Sequence, residues 1–452
     1  MDAVEELCRY VAETTLAEVP APARLATKTF LLDSLGVAAV GSSAPFVAEL
    51  VRTQAAWGSG DDARLWVHGD RVPAPTAALI NAYQVHNSEY DCVHEGAVVH
   101  PLAVLLSATL AVAERQGGVS GADLMLALAV GVDVAAGIGV AAKSPLRFFR
   151  PATAGAFGAC AAIGKLRGFD ATTVRQAMSA VYGQLSGTMQ AHTEGSLMLA
   201  LQVAFNARNA VVATDLAAAG LDGPRNLLEG PFGYFKLIET DYDWAPVAAA
   251  LRDTWRITEV AHKPFPSGRA THGILEILLR MREQHDLAAA DVASVRALVP
   301  PLVQHLIGRP AQPNMTANYA RLSGSYVGAR ALLNGTVDVP DFRAEAMADA
   351  GSLDLAGRIE VIAVDNPDPN ALVPITVELK TRDGRTLSET VDVIYGNPAK
   401  PMSREAHLAK FRRNLANAAR PVPPENGERL IELVDDLESI EDATVLVELL
   451  QA

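Results

Sequence analysis

The chain is short of cysteine, aromatic side chains and basic charge, and each shortage closes off a class of protein. Cys8, Cys92 and Cys160 are the only cysteines in 452 residues. They lie far apart without metal-ligand spacing, so neither a disulfide framework nor a cysteine-based metal site is expected, and their odd number suits the cytoplasm. Aromatics make up 6% of the chain, while the apolar half is mostly Ala, Leu and Val, a composition that favours closely packed helices. Lys and Arg number 38 against 52 Asp and Glu, a net charge of −14. That balance argues against nucleic acid or an anionic membrane as partner. It leaves room for a small anionic substrate, because a site needs only a few convergent cations.

Other absences are just as informative. The first ten residues, Met1 to Tyr10, lack the basic and apolar regions of a signal peptide. The most apolar stretch, Leu124–Ala142, is interrupted by Asp133 and reads as an interior helix rather than a bilayer span. No Gly-x-Ser-x-Gly elbow and no P-loop occurs, and His94-Glu95 is followed by Val98 where a zinc protease motif needs histidine. Gly137-Ile-Gly139 lies inside a helical run with no strand before it, so it reads as packing rather than as a dinucleotide fingerprint. The histidines around His94 match no standard metal-site spacing.

What is present is a dense polar stretch. Between His86 and Pro101 the chain gathers His86, Glu89, Asp91, His94, Glu95 and His100, framed by the apolar runs Pro75–Tyr83 and Leu102–Ala113. Burying such groups costs several kcal/mol each unless they are paired or solvated in a cleft, so the stretch is the first candidate for a site. A second cluster, His262-Lys263-Pro-Phe-Pro-Ser267-Gly-Arg269-Ala-Thr-His272, joins two cations to a predicted helix start, which favours an anion. Gln190-Ala-His192-Thr-Glu194 forms a third, and Arg150 and Arg321 are candidate carboxylate clamps.

Hydrophobic spacing predicts helices over 4–19, 25–40, 173–185 and 198–219, with a capping box at Ser120-Gly-Ala-Asp123 opening another. Leu65-Trp-Val-His68 is expected as an extended piece. Beyond Trp244 the period changes. Alternation at Val295, Ala297 and Val299, at Ile359, Val361 and Ala363, and at Ile375, Val377 and Leu379 predicts strands, the last joined to 388–394 through a two-residue turn at Asp383-Gly384. Helix 319–333 is placed beside them. The fold class is therefore mainly α: a large all-helical domain (1–259 with 397–452) and a smaller α+β domain (260–396).

The polar stretch also resembles a known family. MmgE/PrpD proteins usually show His-x-x-Asp-Phe-Asp-Asp-Thr-His and then His-Pro; here the run is His86-x-x-Glu89-Tyr90-Asp91-Cys92-Val93-His94, then His100-Pro101. Asp33-Ser-Leu-Gly36, Gly155-Ala-Phe-Gly158, Lys263-Pro-Phe-Pro266 and Asn397-Pro398 extend the likeness along most of the chain. The family includes 2-methylcitrate dehydratase, cis-aconitate decarboxylase and iminodisuccinate epimerase. The resemblance implies a homodimeric, cofactor-independent lyase or dehydratase that moves a proton at a carbon next to a carboxylate of a small di- or tricarboxylate. The same parts could give an epimerase or isomerase, or a non-catalytic helical scaffold. It implies His100 as base or acid, Lys263 as neutralising cation or proton donor, Glu89 and Asp91 as orienting carboxylates, and Tyr326 as a further catalytic group. His94, Arg150, His192 and Arg269 are expected to contact substrate. Departures from the pattern, Val93 for threonine, Arg150-Pro151 for His-Pro, Leu199 for lysine and Gln202 for histidine, are expected to alter which carboxylates are held.

Overall fold

The computed structural model describes residues 2–451. Small residues set its central packing. Helix Gly121–Ala141 lies against helix Arg150–Leu166, and a Cβ on Gly158 would sit 2.6 Å from the carbonyl oxygen of Gly131. Only glycine allows that approach, and the gain is a tight helix pair in the middle of the core. Gly139 does the same at the candidate site: a Cβ there would fall 2.7 Å from Ala97. The Gly137-Ile-Gly139 run is thus packing. Helix Gly121–Ala141 is long and apolar enough to cross a membrane, yet it is buried within the protein. Ser120 caps it through a bond from the Asp123 N–H (3.0 Å), as its sequence predicts.

Around this pair stand the helices Ala21–Gly41, Ala74–His86, Pro101–Arg115 and Met198–Ala218. Gly220 closes the last of them with φ 92°. One apolar core joins all of these and also takes in Phe411, Leu415, Leu430 and Leu446 from the C-terminal helices. The second core lies between Ala270 and Ile394. Helix His272–Gln284 lays Ile274, Ile277, Leu278 and Met281 on a four-stranded sheet of order Ile359–Ala363, Val292–Val299, Ile375–Thr381, Thr386–Val391. The first pair is parallel and the rest antiparallel. Strand Val292–Val299, central in the sheet, alternates as its spacing predicts, with Val295, Ala297 and Val299 turned inward.

Three local expectations are corrected. Leu65–His68 is a turn; the short strands are Ala63–Arg64 and Arg71–Val72 on either side of it. The hairpin after Thr381 is longer than two residues. Thr381 N–H bonds to Arg385 O, and Gly384 sits at φ 93°, the left-handed position of a longer, bulged loop. The predicted helix 319–333 is two helices, Ala317–Arg321 and Gly324–Asn334, because the Ser323 hydroxyl accepts the Tyr326 N–H and starts a new one.

Candidate active site

Helix Ala74–His86 ends at His86, and the next helix begins at Pro101. Proline at the first helical position needs no hydrogen bond there and keeps His100 out of the helical region (φ −100°, ψ 81°), so the imidazole stands at the helix mouth. Between the two helices Glu89 and Val98 take φ of 51° and 52°. For a β-branched residue such as Val98 this is costly, of order 1–3 kcal/mol, and strain of that kind collects at sites whose surroundings hold it. Val93–His94 forms a two-residue pairing with Val260–Ala261. That pairing delivers Lys263 to the polar stretch.

The result is a buried network centred on Asp91. His86 Nδ1 lies 2.8 Å from Asp91 Oδ2, and His100 Nδ1 lies 3.3 Å from the same oxygen but off the line of a well-formed hydrogen bond. Lys263 donates to Glu89 Oε2 at 2.8 Å and to the Glu89 carbonyl at 3.3 Å, and sits 3.9 Å from Asp91 Oδ1. Lys263 and His100, far apart in the chain, therefore converge on one carboxylate. Burial alone would raise the Asp91 carboxyl, but His86 and His100 outweigh it and hold it well below the usual range. Glu89 likewise falls to about 2, Lys263 overcoming burial. His86 is raised despite its burial because Asp91 bonds to it, whereas for His100 burial, with Lys263 adding to it, outweighs Asp91 and the value is lowered. A neutral His100 with Nδ1 toward Asp91 presents Nε2 as a base.

His100 and Glu89 open onto a cavity of about 70 Å³ that also reaches His192, Glu95 and Arg269. Its remaining walls include Leu146, Phe149, Met189, Leu306 and Leu372. The polar stretch and residues of the first core such as Phe149 and Met189 supply part of it, and Ala270, Ile307 and Leu372 from the second core the rest.

The other predicted contacts divide. His192 lines the cavity; Arg309, which the sequence did not single out, donates to its Nδ1 (3.2 Å) and carbonyl (2.7 Å). Burial, with Arg309 beside it, pulls His192 down to about 3, so Nε2 carries the only proton of a neutral ring. Arg269 reaches the cavity, but its guanidinium is spent: Nε donates to Glu95 Oε1 (2.6 Å), Nη1 to His262 O and Tyr395 O, and Nη2 to Ile394 O. Asn397 donates to the other Glu95 oxygen at 2.6 Å, so Glu95 ties together segments from three regions.

Four of the expected groups are engaged by the scaffold instead. Arg150 is fully buried and grips Glu239 through Nε and Nη2, both at 2.9 Å, while Nη1 donates to Ala97 O (3.2 Å). It braces the loop before His100 rather than a ligand. His94 accepts the Ala97 N–H at Nδ1 (3.1 Å) and meets Glu259 Oε2 through Nε2 (2.8 Å), which uses both nitrogens. Tyr326 is buried in a third apolar cluster, where its hydroxyl donates to the Asp341 carbonyl. It is not among the cavity walls. Arg321 donates to Asn87 O (2.9 Å) beneath the same turn, with its guanidinium over Phe342. Leu199 is buried outside the cavity wall, and Gln202 accepts the Thr188 N–H.

Among the described residues two groups have ligand atoms close enough to surround a cation, His86 with Asp91 and His100, and Asp33 with His262 and His407. In the first the His86 to Asp91 distance is that of a hydrogen bond, and Lys263 already brings positive charge to Asp91. In the second Lys410 plays that part, 2.8 Å from Asp33. Both sets fit hydrogen-bonded ion networks.

A family model described as the MmgE/PrpD N-terminal domain matches residues 5–247, and one described as the MmgE/PrpD C-terminal domain matches residues 265–439. The chain belongs to the MmgE/PrpD family. Among similar MmgE/PrpD proteins, the cis-aconitate decarboxylase of Mus musculus is 28% identical over 94% of this chain and 88% of its own length. That of Homo sapiens is 28% identical over 94% and 89%. The cis-aconitate decarboxylase-like protein oryM of Aspergillus oryzae is 26% identical over 98% and 96%. Decarboxylation is the activity these names carry, so this MmgE/PrpD chain belongs to a family with lyase members.

Proposed function

We propose that the protein is a lyase that removes a proton from a carbon next to a carboxylate of a small acid, using side chains alone. The observation that carries this reading is His100: it lines a cavity, with Nδ1 directed at a buried carboxylate and its basic strength tuned toward the neutral form. Such a proton is weakly acidic. The base must be unprotonated at working pH, and the charge that forms must be met by groups already in place. His100 Nε2 takes the proton as the C–H bond breaks. The imidazolium that forms is stabilised by Asp91, which stays ionised. The C–H electrons pass into an enolate, which the neutral His192 N–H is set to bond, and a double bond forms as a hydroxyl on the next carbon departs with the C–O pair; in a decarboxylation the pair comes instead from the C–C bond as carbon dioxide leaves, and a protonated His100 returns a proton to that carbon.

Lys263 acts one step back in this reading. It faces Glu89 and Asp91 and keeps Glu89 ionised beside the imidazoles, so its effect on substrate passes through that network. The test is proton NMR of a panel of small carboxylic acids in deuterated water. The wild type should exchange or eliminate at the carbon next to the carboxylate, and His100→Ala should lose this by about 10²–10⁴-fold. Unchanged exchange in the variant would remove His100 from the mechanism. The protein is further proposed to work as a cytoplasmic homodimer; exposed Phe232 and Leu237 offer an apolar face, and the three free thiols are all buried. Sedimentation that returned only monomer would reject the dimer.

A further inference from the structure

The cavity is oddly furnished for a substrate with several carboxylates. Of its ionisable wall residues, Glu89 and Glu95 are anionic, Arg269 is fully engaged with Glu95 and backbone carbonyls, and His100 and His192 are both lowered toward the neutral ring. Among the described residues the wall therefore offers no cation that is not already paired. Arg150, between the wall residues Phe149 and Pro151, is locked on Glu239.

Arg309 stands directly behind His192. Arg309 Nη1 is buried and has no hydrogen-bond partner among the described residues, while its Nη2 holds His192. The ring hydrogen that this bond leaves on His192 Nε2 meets no protein acceptor among the described residues. A neutral donor with a cation behind it suits one carboxylate group. Opposite in character, Leu146, Phe149, Met189, Leu306 and Leu372 supply a wall that only an apolar chain or ring would fill.

Resting on the lyase reading above, we propose that the natural substrate is a monoanion: one carboxylate held by His192 with the charge of Arg309 behind it, and an apolar body against Leu146, Phe149 and Met189. Relatives named for cis-aconitate act on a trianion; here two of its charges would face Glu89 and Glu95 without a free partner. Arg309 is a positioning and specificity residue. It fixes which nitrogen of His192 bears the proton and supplies charge from behind.

The experiment is calorimetric titration of the full-length protein with three probes at pH 7: a homologous series of unbranched 3-hydroxy monocarboxylates, the dianion itaconate and the trianion cis-aconitate. Deuterium exchange is followed on the same samples. The monoanions should bind at least tenfold tighter than cis-aconitate, and affinity should rise roughly fourfold per added methylene until the cavity is full, which is 0.8 kcal/mol per buried methylene expressed as a ratio. Arg309→Met should weaken all monoanions by a similar factor, about tenfold, and leave the chain-length slope unchanged. His192→Gln, which keeps an N–H donor, should weaken them less; it serves if the arginine variant does not fold. Tighter binding of cis-aconitate, a flat response to chain length, or no binding of any probe would overturn the proposal. The two readings separate cleanly. Exchange into cis-aconitate alone would keep the lyase and sink the monoanion, whereas monoanion binding without exchange in any probe would keep the specificity and sink the proton chemistry.

Discussion

Lys263→Met should expose how the buried network is held together. Lys263 is fully buried and donates to Glu89 at 2.8 Å. Burial pushes the Glu89 carboxyl up, yet Lys263, helped by His86 and His100, brings it from the usual 4.5 to about 2. A carboxyl whose value is lower in the folded than in the unfolded chain stabilises the fold at pH above the unfolded value, and that contribution disappears as pH falls through the folded one. For Glu89 the window runs from about 4.5 down to about 2, and the difference corresponds to about 2–4 kcal/mol at neutral pH. Removing the ammonium leaves burial unopposed by its main partner. Glu89 then rises toward or above its ordinary value, and the variant should lose about 3–5 kcal/mol at pH 7. The loss should shrink on going to pH 5, because a protonated Glu89 no longer needs a counter-ion. Lys263→Met with Glu89→Gln should recover more than half of it. Urea unfolding of the four proteins at pH 5 and pH 7, followed by circular dichroism, measures each term, and the cycle isolates the pair. A single-variant loss below about 1 kcal/mol, or a double variant no better than Lys263→Met, would refute the argument that these charges depend on each other.

Three further outcomes follow from other parts of the molecule. Arg150→Met should destabilise the protein by about 3–5 kcal/mol, since it strands Glu239 in the core, and adding Glu239→Gln should restore much of that; a thermal-shift change under 1 °C would return Arg150 to the substrate. Asp133 is raised by burial to about 7 although Tyr10 and the Arg256 N–H bond to it. Its folded value lies above its unfolded one, so the stability it lends is complete below pH 4 and is lost as pH rises to about 7. Asp133→Asn should remove that decline, seen as denaturation midpoints that no longer fall between pH 5 and pH 8. His94→Ala should lower stability by about 1–3 kcal/mol through the freed Ala97 N–H and Glu259 while leaving the ligand profile unchanged, a split that a substrate-contacting histidine would not show in binding titrations.

Much of the architecture is written in short-range pattern. Apolar residues at helical spacing, the Ser120 cap, the inward alternation of Val295, Ala297 and Val299, and the proline after His100 each act within a few residues, so periodicity and capping chemistry reveal them directly. The density of ionisable groups from His86 to His100 is equally local, and it marked a segment that lines the cavity. Which of those groups faces the cavity was a different matter. His94 and His100 look alike in sequence, yet one spends both nitrogens on Ala97 and Glu259 and the other stands open at a helix start. Arg150 and Arg269 looked like free clamps until Glu239 and Glu95, both distant in the chain, closed on them. Arg309 gave no signal at all, because its meaning comes from packing beside His192, which lies well over a hundred positions away. Charge, hydrogen-bonding capacity and helix ends are properties of residues and could be read one at a time. Whether a charge is free to meet a substrate depends on what folding places against it, and only the assembled core, with the Val93–Ala261 pairing that brings Lys263 to Asp91, decided that.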